Sequence, residues 1–369
     1  ADFADLLERR DDEHTLLARL VATLARRAET RALTAAAVGR IIEHGSRLAG
    51  DQRKLTARDQ VIVDVLLEAD HYAGDAQAEL VELDHIEQAI AARRDRVGRQ
   101  GEQVLERIAR GTVLMQTEGE AIGQVNGLAV YRSGRMAFGA PSRITATARP
   151  GRGQVIDIER EAKLGGSIHT KAVMILTRYV AQRYASDSEL SLSASLAFEQ
   201  SYGGVDGDSA SVAEICALLS SLAQVGLKQS LAVTGSINQH GRVQAVGGVN
   251  EKIEGFFRVC RNAETLGPEA GVLLPASNVE HLMLDREVLE AVECNEFSIY
   301  PIRTIDEALR LMVPLDLGDQ DEAGHYPNGS FNGLVAARLA RFTEIAKPGK
   351  KKNGPAASNG TTVPNESDD

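Results

Sequence analysis

A few short stretches hold residues whose type and spacing could do covalent chemistry. In 202–213, YGGVDGDSASVA, three glycines precede Ser209 and a helical pattern follows. Glycines permit a tight turn with close backbone approach. A serine at a helix start stands beside unbonded N–H groups, the donors an oxyanion needs. Plain capping competes with that reading, because Ser is a preferred N-cap and Ser211-Val-Ala-Glu214 has the form of a capping box. In 247–252, GGVNEK, Asn250 is a candidate N-cap and Lys252 falls in the first helical turn, ahead of the apolar stripe Ile253, Phe256, Phe257, Cys260. The helix dipole and burial both disfavour an ammonium there. Bringing a lysine from ~10.4 to ~7–8 takes roughly 4 kcal/mol, and a lysine so tuned can serve as base to a serine. The alternative is a solvated lysine on an exposed helix start. His169, at a helix start, and His240, in a turn, read as surface polar residues, so no Ser-His-Asp arrangement is announced.

The chain has 369 residues, 43% of them hydrophobic and 25% charged, enough for the cores of two to three domains and too apolar for wholesale disorder. A net charge of −11 argues against a dedicated nucleic-acid binder. Cys216, Cys260 and Cys294 lie far apart with no Cys/His cluster, so neither a disulfide framework nor a metal site is expected, and a reducing cytoplasm fits. No apolar run approaches the ~18–20 residues of a membrane span. The chain begins without a methionine, in an apparent helix, and is expected to be part of a longer polypeptide.

Elements must position these residues, and composition divides them near residue 112. Residues 1–112 lack proline and carry helical apolar spacing at Leu16, Leu17, Leu20 and Leu24, with Thr34 and Thr56 as helix caps. Arg93, Arg94 and Arg96 read as a solvated face. From 113 to 318 short apolar runs alternate with helical patterns. Strands are expected at 122–130, 190–198, 230–237, 242–246, 271–274 and 297–302. Helices are expected around Val173, Leu176 and Val180, around Val212 to Leu222, and at 250–264, 278–292 and 304–312. The fold class is α+β. The expected organisation is a helical domain at 1–74, a connecting helix at 75–112, an α/β domain at 113–318 and an extension at 319–369, disordered from about 347.

The segment SLAFEQSYGGVDGDSASVAEICALLS, followed by LAVTGSINQHGRVQAVGGVNEKIEGFF, resembles the proteolytic domain of the Lon protease family, B-type branch. The resemblance extends upstream to 33–69, which is similar to the lid of that family's AAA+ ATPase module. It implies a ribosomal protein S5 domain 2-like fold, a Ser-Lys dyad of Ser209 and Lys252, a lysine-positioning role for Thr234, and acidic residues Asp206 and Asp208 flanking the serine. A carboxylate beside Lys252 would stabilise its ammonium, so an inactive arrangement with Asp208 or Asp206 near Lys252 is expected as one state of the loop. Arg58 matches the lid arginine that reaches nucleotide. No G-x-x-x-x-G-K-[ST] occurs, so no cofactor is expected in this chain, while ATP and Mg2+ are implied for a full-length protein. The resemblance further implies a homohexamer that hydrolyses unfolded or damaged proteins and peptides, with neither nucleic acid nor membrane as partner. Two alternatives remain open: a phosphate-binding small-molecule kinase of related fold, and a non-catalytic ring-assembly module.

Overall fold

The computed structural model describes residues 4–9, 14–133, 136–186 and 189–346. The disorder expected from about 347 lies outside the described residues. No described helix is long and apolar enough to cross a membrane.

The first described element is a strand: β1 (Leu6–Glu8) pairs antiparallel with β2 (Lys54–Thr56), while the helix expected at Ala1–Phe3 lies outside the described residues. Around them four helices, α1 (His14–Arg27), α2 (Ala35–Ala49), α3 (Asp59–Asp75) and α4 (Leu83–Val97), close on a core that includes Leu24, Ile41, Val65, Leu66 and Ile86. Leu17 and Leu24 of the expected α1 stripe are buried, whereas Leu16 is exposed. Thr34 caps α2 by accepting from the Ala37 N–H. Thr56 does not cap α3; it ends β2, and its hydroxyl accepts from the Arg58 N–H. The stretch expected as one connecting helix is two, α4 and α5 (Arg99–Ala109), broken at Gly98. Ile86 and Ala89 of α4 belong to the core of the helical unit, so α4 is packed into that unit and does not simply link it onward.

The second unit is built on a seven-stranded sheet ordered β13-β12-β9-β4-β5-β7-β6. In chain order its parts are β3 (Glu120–Ile122), β4 (Gln124–Ser133), β5 (Met136–Pro150), β6 (Gln154–Asp157), α6 (Ile158–Glu161), α7 (Ser167–Tyr184), β7 (Leu192–Phe198), α8 (Ser211–Ala223), β8 (Gly226–Lys228), β9 (Leu231–Val233), β10 (Ser236–Ile237), β11 (Val243–Gln244), α9 (Val249–Asn262), β12 (Gly271–Pro275), α10 (Arg286–Glu293), β13 (Ser298–Ile302), α11 (Ile305–Met312) and α12 (Phe331–Ala346). β4, β9, β12 and β13 run parallel; β5 is antiparallel to both β4 and β7. β7 shows the expected alternation, with Leu192, Ala194, Leu196 and Phe198 buried. β5 is the longest strand and has no counterpart in the sequence reading, because Gly139, Pro141 and Pro150 break up its pattern.

The core of this unit surrounds α8, every residue of which is buried. A helix apolar on all sides must be covered on all sides, and α12 supplies part of the cover through Phe331, Val335, Leu339 and Phe342. The extension expected from 319 thus contributes a helix to the core of this unit. The helix expected at 278–292 is a 3-10 segment (Ala276–His281), a break, and α10. Asn250 fastens that break: its amide donates to the His281 carbonyl and its oxygen accepts from the Met283 N–H.

Helix α9 is held from two sides. Against β5 it packs main chain to main chain: a Cβ on Gly139 would fall 1.9 Å from the Glu251 carbonyl oxygen, and one on Gly255 2.2 Å from the Gly139 oxygen. From the helical unit, Arg47 at the end of α2 grips both oxygens of the buried Glu254 and donates to the Met283 carbonyl. Arg94 and Arg258 converge with Arg47 on Asp285. The arginines read as a solvated face are thus paired: Arg94 with Asp285, Arg96 with Glu68 and Arg93 with Asp64. Arg47→Ala should leave the Glu254 carboxylate buried without its counter-charge and cost about 3 kcal/mol of stability. Urea unfolding of the variant beside Glu254→Gln and the double variant measures this. A double variant no better than additive would show that the pair is not coupled.

Candidate active site

Ser209 sits in the turn that delivers the chain to α8. Gly207 takes φ +107°, a conformation open to glycine, and α8 begins at Ser211 with no side-chain cap. The expected capping box is not formed. Ser211 Oγ donates instead to the Asp208 carbonyl, and Glu214 turns inward beneath the turn. The chain just after β9 docks onto the same turn: the Gly235 N–H donates to the Ser209 carbonyl, and the Val212 N–H donates to the Gly235 carbonyl. Among the described residues, the N–H groups of Ser209 and Ala210 find no acceptor.

Lys252 arrives from the other side. Gly248, at φ +67°, is the N-cap of α9, so Asn250 is not; it lies inside the first turn. Lys252 is only 3% exposed, and its Nζ lies 2.9 Å from Ser209 Oγ and 3.0 Å from Thr234 Oγ1. Thr234 Oγ1 donates to the Ser209 carbonyl at 3.1 Å, which leaves its lone pairs facing the lysine amine. Burial pulls the Lys252 pKa down to about 8, against the opposing charges of Asp208 and Glu251. With its hydroxyl proton on Ser209, Thr234 can accept one amine N–H. The lone pair of a neutral amine is then free for the serine hydroxyl. The arrangement can therefore move a proton from Ser209 Oγ to Lys252 Nζ.

The flanking acids lie elsewhere. Asp208 Oδ2 accepts from Ser236 Oγ at 2.7 Å, and the Asp206 side chain lies against Gly166 at the start of α7. Neither carboxylate is paired with Lys252 among the described contacts, although the charge of Asp208 still acts on the amine. Ser236 was not singled out in the sequence; a small polar residue just past Thr-Gly carries little signal. Arg58 is the N-cap residue of α3 and is exposed, with Asp5 3.8 Å away. His240 lies exposed in the turn between β10 and β11, as expected. His169 does not lie at the surface: it is fully buried, 3.2 Å from Asp157 and 3.8 Å from Glu214. Burial pushes the Glu214 carboxyl up to about 7, partly offset by His169. No sequence signal joins those three residues, because they come from separate elements that meet only in the fold.

Comparison with known proteins matches the chain to a family. A family model described as the archaeal LonB AAA+ ATPase LID domain matches residues 32–96, reaching through α4. The model of the Lon protease C-terminal proteolytic domain matches residues 108–314 and takes in Ser209, Thr234 and Lys252. A putative Lon protease homolog of Escherichia coli (strain K12) is 40% identical over 324 residues, covering 85% of this chain and 54% of that protein. A second putative homolog, from Haemophilus influenzae, is 43% identical over 240 residues, covering 64% of this chain and 40% of that protein. An archaeal Lon protease of Archaeoglobus fulgidus is 28% identical over 274 residues, covering 74% and 41% respectively. The chain spans about half the length of these curated relatives, or less. With an AAA+ lid ahead of a proteolytic domain that takes up more than half its length, this chain belongs to the Lon protease family.

Proposed function

We propose that this chain is the proteolytic part of a B-type Lon protease, a serine endopeptidase with Ser209 as nucleophile and Lys252 as general base. The observation that carries this reading is the 2.9 Å approach of a buried amine to the Ser209 hydroxyl. Neutral Lys252 takes the Ser209 proton as Oγ attacks the peptide carbonyl. The N–H groups of Ser209 and Ala210 receive the oxyanion that forms. The Lys252 ammonium then returns the proton to the leaving amine, and the acyl-enzyme is hydrolysed by water that gives its proton to the same lysine. Thr234 orients the amine throughout. The substrates we assign are peptides and unfolded or damaged proteins, enclosed by a homohexamer in the cytoplasm. ATP with Mg2+ would be handled by a nucleotide-binding part of a longer protein, which the lid serves through residues such as Arg58.

Ser209→Ala and Lys252→Met should each lower hydrolysis of a fluorogenic peptide or casein by at least about a thousandfold, roughly 4 kcal/mol of transition-state stabilisation. Light scattering on the same samples reads the assembly. Substantial cleavage by Ser209→Ala would remove the assignment.

The base works only when neutral, and at pH 7 about a tenth of it is. Peptide hydrolysis should therefore climb nearly tenfold from pH 6 to 7 and level off above about pH 8 to 9. Asp208 raises the Lys252 pKa, so Asp208→Asn should move the midpoint of that rise to lower pH. An unmoved profile would mean that Asp208 exerts no field on the amine.

The same burial has a cost in stability. The lysine pKa is about 8 in the folded chain and ~10.4 in the unfolded one. The unfolded state thus binds more protons between these values, so the destabilisation is complete below about pH 8 and fades toward ~10.4. Lys252→Met should stabilise the fold by about 2 kcal/mol at pH 6.5, after loss of the hydroxyl contacts, and by much less at pH 10. Urea unfolding at the two pH values reads the difference, and an equal effect at both would exclude a buried ammonium.

A further inference from the structure

Behind the nucleophile helix lies a cluster of titratable side chains that the proposed reaction does not use. Asp157 ends β6, Glu159 lies in α6, His169 in the first turn of α7 and Glu214 in the first turn of α8. All four are buried, and His169 and Glu214 have no exposed surface. Donor atoms of Asp157, Glu159 and His169 lie within 4.8 Å of one another. His169 Nε2 is 3.2 Å from Asp157 Oδ1 and 3.8 Å from Glu214 Oε1. Asp157 Oδ2, Glu159 Oε2 and both Glu214 oxygens have no hydrogen-bond partner. Among the described residues, no lysine or arginine pairs with any of the four.

Three carboxylates set against one imidazole leave more buried negative charge than that imidazole can balance. Such a group either takes up protons or holds a cation. The spacing also suits a cation: ligand atoms each ~2.1 Å from one ion lie roughly 3 to 4 Å apart, and the donor atoms of Asp157, Glu159 and His169 are gathered closely enough for a small adjustment to seat one. Asp157 Oδ2 and Glu159 Oε2 are the telling atoms, buried in the trio without a partner, while Glu214 stands beside it, 3.8 Å from His169. We propose that Asp157, Glu159 and His169 form a binding site for one divalent transition-metal ion, with the Glu214 carboxylate at its margin. One imidazole among carboxylates suits Mn2+ or Zn2+, whereas Ca2+ and Mg2+ prefer oxygen ligands throughout.

The ion would act as a brace. It would tie β6, α6 and α7 to one another beside the first turn of α8, just beyond Ser209. The Gly166 N–H at the start of α7 already donates to the Val205 carbonyl in the loop before the serine. Glu159 Oε1 accepts from the Phe198 N–H at the end of β7. The nucleophile turn is thus suspended between elements that the ion joins, while Lys252 and Thr234 approach from the opposite side.

The test uses the full chain, stripped with a chelator, desalted and supplied with MnCl2 or ZnCl2, with MgCl2 as control. Wild type should retain one Mn2+ or Zn2+ per chain by elemental analysis, and its thermal midpoint should rise by about 5 °C. Glu159→Gln and Asp157→Asn, both close in shape to the parent residue, should lose retention and shift together. Anomalous diffraction from wild-type crystals soaked in MnCl2 or ZnCl2 should give a peak among Asp157, Glu159 and His169, which keeps the test decisive if a variant fails to fold. The proposal is overturned if wild type retains no ion, if both variants retain it as wild type does, or if the anomalous peak lies elsewhere. Retention of none would mean that the cluster is held by shared protons alone.

Discussion

A primary amine withdrawn from water, with two hydroxyl groups as its partners, is the constraint on which the site depends. Lys252 would be an ordinary ammonium if a carboxylate reached it, and the fold keeps the nearby carboxylates occupied. Asp208 is taken by Ser236, and Glu254, one half-turn further along α9, is taken by Arg47 from the helical unit. The charges of Asp208 and Glu251 still act at a distance, but desolvation outweighs them and holds the amine near the pH at which a base is useful. Thr234 does not neutralise the amine; it orients it, and its own proton is spent on the backbone of the residue to be activated.

The serine side is fixed by a different device. Helix α8 is enclosed on every face, so its start is the tip of a buried rod and has little freedom to tilt. Helix α12 belongs to this arrangement through Phe331 and Phe342. Ser209 itself lies in the turn before the rod, which is stitched to the segment after β9 by Gly235 and Val212. One short piece of chain, 234–236, therefore touches all parties: Thr234 the amine, Gly235 the serine backbone and Ser236 the flanking acid.

Much of this was legible because the dyad residues are announced locally, by a glycine-rich turn into a helix and by a Gly-Gly turn into the next. Where reading failed, a tertiary contact had outweighed a local rule. Ser211 and Glu214 satisfy the pattern of a capping box, yet Glu214 is drawn into the interior beside His169, and the helix starts without a side-chain cap. Asn250 is a good N-cap type, but its amide is engaged by 281–283 and Gly248 begins the helix. The strand β5 was hidden by its glycine and prolines. Helix α12 was hidden by its surroundings, although the spacing of Phe331, Val335, Leu339 and Phe342 is that of a helix face. The pairing of Arg47 and Arg94 across the two units could not be read, since charge type gives no hint of a partner far away in sequence.

The direct contact of Gly139 and Gly255 bears on how this architecture can vary. Side chains elsewhere in the core can exchange volume with one another, because a lost methylene in one is made up by a larger neighbour. Between β5 and α9 there is no such reserve, since only peptide atoms meet and their dimensions are invariant. The height of the lysine above the sheet is thus a fixed gauge, indifferent to drift in the surrounding apolar residues. The gap between amine and hydroxyl is insulated from the mutational wear that the rest of the interior can absorb.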